Sequence, residues 1–395
     1  MRILAMSYLF PNSVQQNYGI FVYNRLKAVA QIHDITIIAP IPWFPLRHFI
    51  RGYPDLRSVP FSEKKDGLTI YHPRFFVIPK YIKCLDPFMY FLCTLPLILY
   101  LLRTRKFDLI DVHWVYPDIF AGLVVSKVIN KPLIVTIRGK DAVCDGEISI
   151  RKRMLDYWLK KATRVICLSR ELAEITKSIG VSIDKINVLP NGVDIKLFKL
   201  IDQGQCRNYL DVPLDKKMIL SIGYLTEQKG FHHIINCLST LIRSDNDVVL
   251  YIIGSSPSPE CEYIHYLNEL VDLYQLSDRI IFKGTISNSE LPYWYNAADV
   301  FCLATSTEGS PNVVMEALAC GCPAVVSSVG GIPDIMSERF LGNVFNLTDK
   351  NGLAEALDNF FSREWNRQRI RKHMERYSWN WCAENVDNVY REVSK

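Results

Sequence analysis

Short apolar, β-branched runs alternate along the whole chain with amphipathic segments of helix length. This alternation is typical of a parallel sheet that carries helices on both faces. The first half predicts the strands MRILAMSY, DITIIAP, FDLIDVHW, PLIVTIRG, RVICLS and INVLP, and the second half predicts MILSIGYL, DVVLYIIG, RIIFKGTI, DVFCLAT, PAVVSS and GNVFNL. We therefore predict an α/β protein built from two doubly wound sheets.

The alternating pattern is interrupted within NGVDIKLFKLIDQGQ, where an Asn-Gly turn and a loss of periodicity indicate a linker near residues 192–204. A chain of 395 residues also exceeds the size at which one hydrophobic core usually keeps growing. We therefore predict an N-terminal domain over residues 1–198 and a second domain over residues 199–376. The remaining residues, 377–395, have the period of a helix.

Composition is that of an ordinary globular protein, because 49% of the residues are hydrophobic and 22% are charged. The charge is uneven: residues 1–200 carry 29 Lys and Arg against 16 Asp and Glu, so the first half has a net charge of +13 and the remainder −8. A basic first half favours an anionic partner, either a phospholipid surface or a phosphorylated acceptor. No zinc-finger spacing, RNA-binding signature or basic heptad helix accompanies it, so we expect no nucleic-acid partner.

Cysteine usage and the start of the chain both favour a cytoplasmic protein. The 11 cysteines are scattered and never spaced C-x-x-C, which is typical of small buried hydrophobic residues in a reducing compartment. The opening MRILAMSYLF lacks a small-residue cleavage site and continues into polar residues. We interpret it as a first strand rather than as a signal peptide.

One apolar segment leaves three interpretations open. Residues 85–102, LDPFMYFLCTLPLILYLL, are almost entirely apolar, and basic residues flank them at Lys80, Lys83, Arg103, Arg105 and Lys106. The segment is interpreted first as a helix buried in the first domain and second as a helix lying on a membrane surface. A membrane span is the third interpretation, disfavoured by Pro96 and by a length at the lower limit for a span.

The segment DVFCLATSTEGSPNVVMEALACGCPAVVSS has the pattern of a strand, a loop, a helix and another strand. Ser310 is the predicted N-cap of this helix and Pro311 its first residue, because proline needs no backbone donor there. The amides of Asn312 and Val313, with the positive end of the helix dipole, then suit a phosphate or another anion. Gly309 allows a ligand to approach the backbone closely.

Two carboxylates bracket this predicted anion site, Glu308 just before the cap and Glu316 on the same helical face as Asn312. Each carboxylate can accept two hydroxyl hydrogen bonds, so the pair suits a sugar and a ribose. The alternative is that Glu308 only complements the helix dipole and that Glu316 is solvated. In SIGYLTEQKG, a strand is followed by a loop that contains Gly223, and Lys229 stands at the end of this loop. Lys229 would either neutralise a diphosphate or be a solvated lysine at the start of a helix.

Two further polar groups carry weaker signals. His113, at the end of the strand FDLIDVHW, is either an acceptor contact or a structural histidine, and the structural interpretation is favoured. Asp245, Asn246 and Asp247 have the D-x-D spacing of some metal sites, but they lie between a helix and a strand, where Asp and Asn favour a turn. We therefore predict no metal site there.

The spacing of Glu308 and Glu316, with seven residues between them, resembles the defining motif of retaining glycosyltransferases of family four. The resemblance extends over nearly the whole chain, through MRILAMSYLFP with Gly19, TIRGKD, LPNGVD, GYLTEQKG, ADVFCLATSTEGSPNVVMEALACGCPAVVSSVGGIPDIM and the closing YSW. It implies the GT-B fold, in which two Rossmann-like domains face each other across a cleft and the C-terminal helix packs back on the first domain. It also implies a nucleotide-sugar donor, transfer with retained anomeric configuration, and no bound metal or other cofactor.

The resemblance also assigns roles to residues that match its motifs. Glu316 would bind the ribose hydroxyls, Glu308 the donor sugar, Lys229 the diphosphate, and Gly19 would approach the diphosphate from the first domain. The whole predicted donor site comprises Gly19, Gly223, Lys229, Glu308, Gly309, Ser310, Pro311, Asn312, Val313 and Glu316. The predicted catalytic residues are Glu308, Lys229 and Arg138, and the acceptor-side candidates are His113, Arg138 and Asp141.

This chain departs from the family pattern at two positions. Tyr224 stands where many relatives carry an arginine, so that one positive charge on the leaving-group side is either missing or supplied by another residue. Arg138 replaces a common histidine in TIRGKD, a variant associated with polysaccharide-building members. Three roles are open for Arg138: supporting the leaving group, binding an anionic acceptor, or pairing with Asp141.

The sequence therefore predicts a retaining glycosyltransferase of hexosyltransferase type. It would move a sugar from a UDP- or GDP-linked donor to an acceptor hydroxyl, in our interpretation that of a lipid-linked saccharide at the cytosolic face of the cell membrane. The alternatives are a nucleotide-sugar epimerase of the same fold and a non-catalytic protein that binds membrane surfaces. A dinucleotide oxidoreductase is disfavoured, because no strand is followed by G-x-G-x-x-G and the pair Gly330 and Gly331 lacks that spacing.

Overall fold

A computed structural model describes residues 1–45, 54–77, 83–140, 150–241, 247–256 and 262–394. The chain divides into two compact units. The first unit comprises Met1–Gly192 and Trp379–Lys395, and the second comprises Val193–Ser378. The first unit ends slightly before the predicted boundary at residue 198, because Val193 and Phe198 pack in a core of the second unit.

The described residues form the following strands, in chain order: β1 (Arg2–Met6), β2 (Asp34–Ile38), β3 (Ile41–Trp43), β4 (Ser62–Lys65), β5 (Leu68–Tyr71), β6 (Arg74–Phe76), β7 (Leu109–Val112), β8 (Leu133–Ile137), β9 (Arg164–Cys167), β10 (Ile186–Val188), β11 (Lys217–Ile222), β12 (Val248–Ile253), β13 (Ile280–Gly284), β14 (Val300–Leu303), β15 (Ala324–Ser327) and β16 (Gly342–Phe345). The helices are α1 (Ile20–Val29), α2 (Asp86–Thr104), α3 (Ile119–Ile129), α4 (Ile150–Leu159), α5 (Arg170–Ser178), α6 (Gln203–Leu210), α7 (Phe231–Leu241), α8 (Glu262–Leu273), α9 (Leu291–Ala297), α10 (Asn312–Ala319), α11 (Ile332–Ile335), α12 (Gly352–Phe361), α13 (Arg367–Met374) and α14 (Trp379–Val393). Single 3₁₀ turns lie at Lys83–Leu85, Ile183–Lys185, Glu227–Lys229, Arg339–Leu341 and Glu375–Tyr377.

Each unit contains an open, doubly wound sheet, which confirms the predicted α/β class. In the first unit the order is β10-β9-β8-β7-β1-β2-β5-β4, parallel except for the antiparallel pair β4 and β5. In the second unit the order is β13-β12-β11-β14-β15-β16, and every pairing is parallel. This second order is that of dinucleotide-binding sheets. All twelve predicted strands are present.

The direction of strand succession reverses between β1 and β7 in the first unit and between β11 and β14 in the second. Ligands of open α/β sheets bind beyond the carboxyl ends of the strands at such a reversal. The loops that follow these four strands are therefore the expected sites. They hold Gly19 and His113 in the first unit and Lys229 and Glu308 in the second.

The sequence reasoning missed four short strands, β3 to β6, within residues 41–76. Strand β4 reads SEKK and is largely exposed, so it has no apolar periodicity to detect. A detectable signal was the Asp66-Gly67 pair between β4 and β5, since both residues have positive φ, 50° and 79°. Such a pair is the common two-residue turn of a hairpin.

Both faces of the first unit's sheet are buried along the inner strands β1, β2, β7, β8 and β9, which explains why these strands are continuous apolar runs. Along β1, Leu4 and Met6 face the cluster that includes α2, α3 and α4. Ile3 and Ala5 face the opposite cluster, where residues of α1 and α14 meet. The C-terminal helix α14 thus belongs to the core of the first unit.

The apolar segment at 85–102 forms the helix α2. Its inner face, which includes Tyr90, Leu97 and Leu101, is buried against β6 and α3. Its outer face is exposed, and only 33% of its most apolar stretch of 18 residues is buried. By length and composition, the helix could cross a membrane. The interpretation as a buried helix is therefore correct for one face only, and contact of the other face with a membrane surface stays a prediction.

Candidate active site

In the second unit, the loops after β11 and β14 bring Lys229 and Glu308 together. The Lys229 ammonium pairs with Glu308 Oε1, and both side chains are mostly buried, with exposed fractions of 22% and 12%. Backbone bonds join the same loops: the amide of Ser306 and the hydroxyl of Thr305 donate to the Gln228 carbonyl at 2.8 and 3.0 Å. The sheet order therefore places two residues that are far apart in sequence in one ion pair.

Two glycines allow these loops to approach so closely. Gly230 has φ 70°, and a Cβ atom there would lie 1.9 Å from the Ala304 carbonyl oxygen. Gly330 has φ 59°, and a Cβ atom there would lie 1.8 Å from the carbonyl oxygen of Glu308. Only glycine combines this backbone conformation with that contact. In the sequence, Gly330 stands out only as part of a Gly-Gly pair without dinucleotide-binding spacing. The structure shows that Gly330 supports the loop that holds Glu308.

Helix α10 begins one residue later than predicted, at Asn312. The carbonyl of Pro311 accepts the first helical bonds, from Val314 at 3.2 Å and Met315 at 3.4 Å, which makes Pro311 rather than Ser310 the N-cap residue. Ser310 Oγ is buried and makes no hydrogen bond with the described residues, so its predicted capping role is wrong. The N-terminus of α10 still follows Glu308 and Gly309 closely in the chain, after Ser310 and Pro311, and a helix end of this kind favours anions.

Glu316 lies one turn into α10 and is partly buried. The buried Tyr295, on α9, donates its hydroxyl to Glu316 Oε2 at 3.0 Å. Burial raises the pKa of the Glu316 carboxyl to about 7. The alternative interpretation of Glu316 as a solvated helix residue is therefore wrong. Sequence reasoning missed Tyr295, because nothing in the local pattern of α9 indicates that its hydroxyl reaches α10.

Gly223 and Tyr224 lie in the loop after β11. The amide of Gly223 donates to Ile253 at 3.0 Å, and its carbonyl lies against Gly254, where a Cβ atom would approach to 1.8 Å. The Tyr224 side chain is 62% exposed. The backbone at Gly223 is thus fixed by close contact with the end of the neighbouring strand. The ring of Tyr224, which replaces the arginine expected by resemblance, is exposed to solvent.

In the first unit, His113 follows β7 and is buried. Arg138 donates to His113 Nδ1 at 2.9 Å, so the ring proton lies on Nε2, which is 2.8 Å from Asp111 Oδ2. Burial lowers the pKa of His113, which favours the neutral imidazole. Both ring nitrogens face partners within the core, which favours the structural interpretation of His113.

Arg138 itself is buried, with only 5% of the residue exposed. Its guanidinium donates to Asn191 Oδ1 at 3.1 Å and lies over the Phe21 ring at 5.3 Å. Asn191, the asparagine of LPNGVD, also lies 3.4 Å from the second buried guanidinium, Arg25. Asp141 lies outside the described residues, so its predicted pairing with Arg138 stays a prediction.

Sequence reasoning missed most members of this buried network. Asp111 accepts a hydrogen bond from the hydroxyl of Tyr390, which lies on α14. Arg25 donates to the carbonyls of Leu189 and Pro190, both at 3.3 Å. A signal was present in the charged residues Arg25 and Asp111, which stand within otherwise apolar core segments. Buried charges of this kind require partners.

Gly19 precedes α1 with φ 70°, and a Cβ atom there would lie 2.4 Å from the Leu9 carbonyl oxygen. The loop between β1 and α1 is also held by Asp118, which accepts a hydrogen bond from the Tyr8 amide at 2.8 Å. Burial raises the pKa of the Asp118 carboxyl to about 8. Gly19 thus lies in a tightly packed loop at the strand reversal of the first unit.

Comparison with known families agrees with this geometry in both units. The family model Glycosyl transferases group 1 matches residues 202–377, and the model Glycosyltransferase Family 4 matches residues 19–197. Together the two models match most of the chain. The chain belongs to the family-four glycosyltransferases with the GT-B fold.

Individual relatives of this glycosyltransferase are distant. It is 26% identical over 405 residues to the putative teichuronic acid biosynthesis glycosyltransferase TuaC of Bacillus subtilis, covering 100% of this chain and 94% of that protein. It is 28% identical over 272 residues to the Escherichia coli UDP-Gal:alpha-D-GlcNAc-diphosphoundecaprenol alpha-1,3-galactosyltransferase, covering 65% of this chain and 67% of that protein. The structure of Anabaena HepE in complex with UDP is similar in fold, with a TM-score of 0.76, 18% identity, and coverage of 99% of this chain and 100% of that one.

Within the described residues of this glycosyltransferase, no group of three or more His, Cys, Asp or Glu side chains is arranged to hold a metal ion. Of the D-x-D sequence, Asp245 and Asn246 lie outside the described residues. Asp247 precedes β12 and pairs with Arg279 and, at 4.0 Å, with Lys216. These pairs give Asp247 a structural role at the start of a strand.

Proposed function

We propose that this glycosyltransferase transfers a hexose from a nucleoside-diphosphate sugar to an acceptor hydroxyl, with retention of the anomeric configuration. The observation that carries the proposal is the Lys229–Glu308 pair, which joins the loop after β11 to the loop between β14 and α10 at the strand reversal of the second unit. A cation, a carboxylate and a helix N-terminus at one place suit a sugar linked to a diphosphate. The spacing of Glu308 and Glu316 supports the retaining type by resemblance.

Each side chain then has a distinct role in donor binding. Glu316, one turn inside α10, accepts the two ribose hydroxyls. Donor binding separates the Lys229–Glu308 pair, so that Lys229 binds the diphosphate and Glu308 accepts hydroxyls of the donor sugar. Lys229 and the first-turn amides stabilise the negative charge that develops on the departing diphosphate.

The donor nucleotide that we propose is UDP. HepE is described in complex with UDP, and the Escherichia coli relative is named as using UDP-Gal. GDP is the alternative nucleotide. No metal takes part in the proposed reaction, and the departing phosphate takes the proton of the acceptor hydroxyl. We expect transfer to be unaffected by a chelator.

The acceptor that we propose is a lipid-linked saccharide, in synthesis of a surface polysaccharide at the cytosolic face of the membrane. The support is the name of the Bacillus subtilis relative, which refers to teichuronic acid, and that of the Escherichia coli relative, which refers to a diphosphoundecaprenol acceptor. The basic first half of the chain suits an acceptor that carries a diphosphate.

The test is a thermal-shift panel of UDP, GDP and their common sugar derivatives on the native protein, on Glu316→Ala and on Glu269→Ala. Glu269 lies exposed on α8 and is the matched control. We expect UDP compounds to raise the melting temperature of the native protein and of Glu269→Ala, but not of Glu316→Ala. No shift with any nucleotide would contradict the proposal.

Product analysis separates transfer from the epimerase alternative. With a UDP-sugar and a saccharide acceptor, we expect a glycoside whose anomeric proton coupling matches that of the donor. An isomerised UDP-sugar formed without acceptor would identify an epimerase instead. An inverted product would leave donor binding intact and refute the retaining mechanism.

A further inference from the structure

Helix α2 is apolar on the side that faces away from the core. Leu85, Met89, Leu92, Pro96 and Leu99 recur every three or four residues and form one stripe along the helix, which we name the outer stripe. Its leucines are exposed, at 45% for Leu85, 56% for Leu92 and 43% for Leu99. Contiguous exposed apolar surface of this kind marks an interaction site.

Incomplete packing does not explain this exposure, because the helix already has a buried face on the opposite side. Tyr90, Leu97 and Leu101 are 0%, 7% and 1% exposed, within the core cluster of the first unit. A soluble helix with one buried face normally presents polar residues on the other. Here both faces are apolar, and folding of the first unit does not require apolar residues in the outer stripe.

Basic residues flank the outer stripe at both ends, and the one at its start is paired with an acidic residue. Lys83 stands at its start, and the exposed Arg103 and Lys106 stand at its end. The acidic residue at the start of the helix, Asp86, is buried and bound to Lys83 at 3.2 Å and to the hydroxyl of Tyr116 at 2.6 Å. The outer stripe itself contains no acidic residue.

The helices beside α2 extend this basic surface. Phe88 of α2 contacts Phe120 of α3 with ring centroids 4.7 Å apart, and Phe120 contacts Trp158 of α4 at 5.1 Å. The helices α3 and α4 and the loops after them carry Lys127, Lys131, Arg151, Lys152, Arg153, Lys160 and Lys161, and one acidic residue, Asp156, which pairs with Lys152 at 2.8 Å. Their exposed apolar residues include Val128, Ile150 and Tyr157. The region is therefore both apolar and strongly basic.

We propose that the outer stripe of α2 docks on the surface of an anionic phospholipid bilayer. The helix lies parallel to that surface, with the leucines of the outer stripe among the acyl chains and the flanking Lys and Arg side chains at the lipid phosphates. A second copy of the chain fits less well, because it would bring two basic surfaces together. A membrane span would remove Tyr90, Leu97 and Leu101 from the core.

The test is flotation of the full chain with two kinds of vesicle, one of phosphatidylcholine alone and one with phosphatidylglycerol added. We expect binding to the anionic vesicles that exceeds binding to phosphatidylcholine at least tenfold. It should weaken as salt rises from 50 to about 500 mM, because counterions screen the lipid charge. Equal binding to both vesicles, or none to either, would overturn the proposal.

Two pairs of double variants identify the surface. Leu92→Glu/Leu99→Glu places charge on the outer stripe, and Leu214→Glu/Leu273→Glu makes the same change at exposed leucines of the second unit. We expect the first variant to lose at least tenfold in vesicle binding and the second to match the native protein. Arg103→Gln/Lys106→Gln should weaken binding to anionic vesicles, whereas Lys350→Gln/Lys372→Gln, at exposed lysines of the second unit, should not.

Two controls keep the outcomes distinct. Melting temperature and UDP binding are measured on every variant, and both should stay at native values, because the substituted side chains are exposed. Light scattering measures the mass in solution: a dimer that Leu92→Glu/Leu99→Glu dissociates would assign the outer stripe to a second copy and overturn the proposal. Vesicle binding is independent of the proposed transfer reaction, so a protein that binds anionic vesicles without binding nucleotides would refute only the latter.

Discussion

At the scale of single residues, the candidate site combines partly buried polar groups that already pair within the protein. Glu316 is partly buried with one hydrogen-bond donor, Tyr295, and its pKa is raised to about 7. Lys229 and Glu308 are mostly buried and pair with each other. A ligand that brings hydroxyls to Glu316 and phosphate to Lys229 would replace or add to these partners. Each of these residues therefore provides a separate test.

Replacing Glu316 with glutamine tests its burial. The pKa of Glu316 is raised in the folded protein, so the folded state prefers the protonated form, and this contribution is lost as pH rises from about 4.5 to 7. At each pH, the stability difference is the unfolding free energy of Glu316→Gln minus that of the native protein. We expect this difference to be about 1–2 kcal/mol more favourable to the variant at pH 8 than at pH 4. Denaturant unfolding at both pH values measures this difference. An identical pH dependence in the two proteins would contradict it.

Replacing Lys229 with alanine tests the leaving-group role. The substitution removes the positive charge that we assign to the diphosphate, so we expect kcat to fall about 100-fold, as for loss of one preorganised electrostatic contact. Lys216→Ala, which removes a lysine before β11, is the control and should keep its native rate. Steady-state kinetics with a UDP-sugar measure both. A change confined to KM would show that Lys229 binds the donor without stabilising the transition state.

At the scale of elements, loops fixed by glycine join the ends of neighbouring strands. Gly230 lets the loop after β11 contact β14, and Gly330 lets the loop after β15 contact Glu308. Neither contact is visible in hydrophobic periodicity, because it depends on which strands are adjacent in the sheet. The glycines themselves are visible in the sequence, at the expected places after strands.

Gly330→Ala tests this support, and Gly284→Ala is its matched control. Gly284 has a similar φ of 67° but has nothing within 4 Å of the added Cβ, whereas at Gly330 the Cβ would meet backbone at 1.8 Å. We expect Gly284→Ala to cost about 1 kcal/mol through backbone strain alone. Gly330→Ala should cost at least about 2 kcal/mol and weaken UDP binding as well. Equal costs would show that the loop adjusts without moving Glu308.

At the scale of the whole molecule, residues near the ends of each unit's chain segments form hydrogen bonds within that unit. The first unit ends at Gly192 and resumes at Trp379. Asn191 binds the buried Arg138, and α14 supplies the hydroxyl of Tyr390 to Asp111. In the second unit, the amide of Val193 donates to the carbonyl of Tyr377 at 2.9 Å, which joins its two ends.

Tyr390→Phe tests the contribution of α14 to the buried network. Its hydroxyl donates to Asp111 within the core, so removing it leaves a buried carboxylate oxygen with one donor fewer. We expect a loss of about 1–3 kcal/mol of unfolding free energy. Tyr209→Phe, at a tyrosine that is 62% exposed, is the control and should change stability by less than about 0.5 kcal/mol. Equal values would show that the hydrogen bond to Asp111 contributes little.

Residues 193–378 contain their own sheet, their own cores and every predicted donor residue except Gly19. We expect this segment alone to unfold cooperatively and to bind UDP. Calorimetric unfolding and titration with UDP measure both properties. Residues 1–192 alone should fail to fold, because they lack α14.

The sequence by itself determined the α/β class, the twelve main strands and the loops that hold the candidate site, because these follow from local periodicity and from glycine and proline positions. It did not predict β3 to β6, whose exposed or short strands carry no such pattern. It misplaced the cap of α10, because the choice between Ser310 and Pro311 depends on which carbonyl accepts the first helical bond.

Only the tertiary structure decided which of these groups meet. The bond from Tyr295 to Glu316, the pairing of Lys229 with Glu308 and the contact of Tyr390 with Asp111 join residues 21, 79 and 279 positions apart. Strand order sets such contacts, and burial then sets the pKa of Glu316. The two faces of α2 show the same division: its apolar character is local, but which face stays exposed was decided by how the helix packs on β6 and α3.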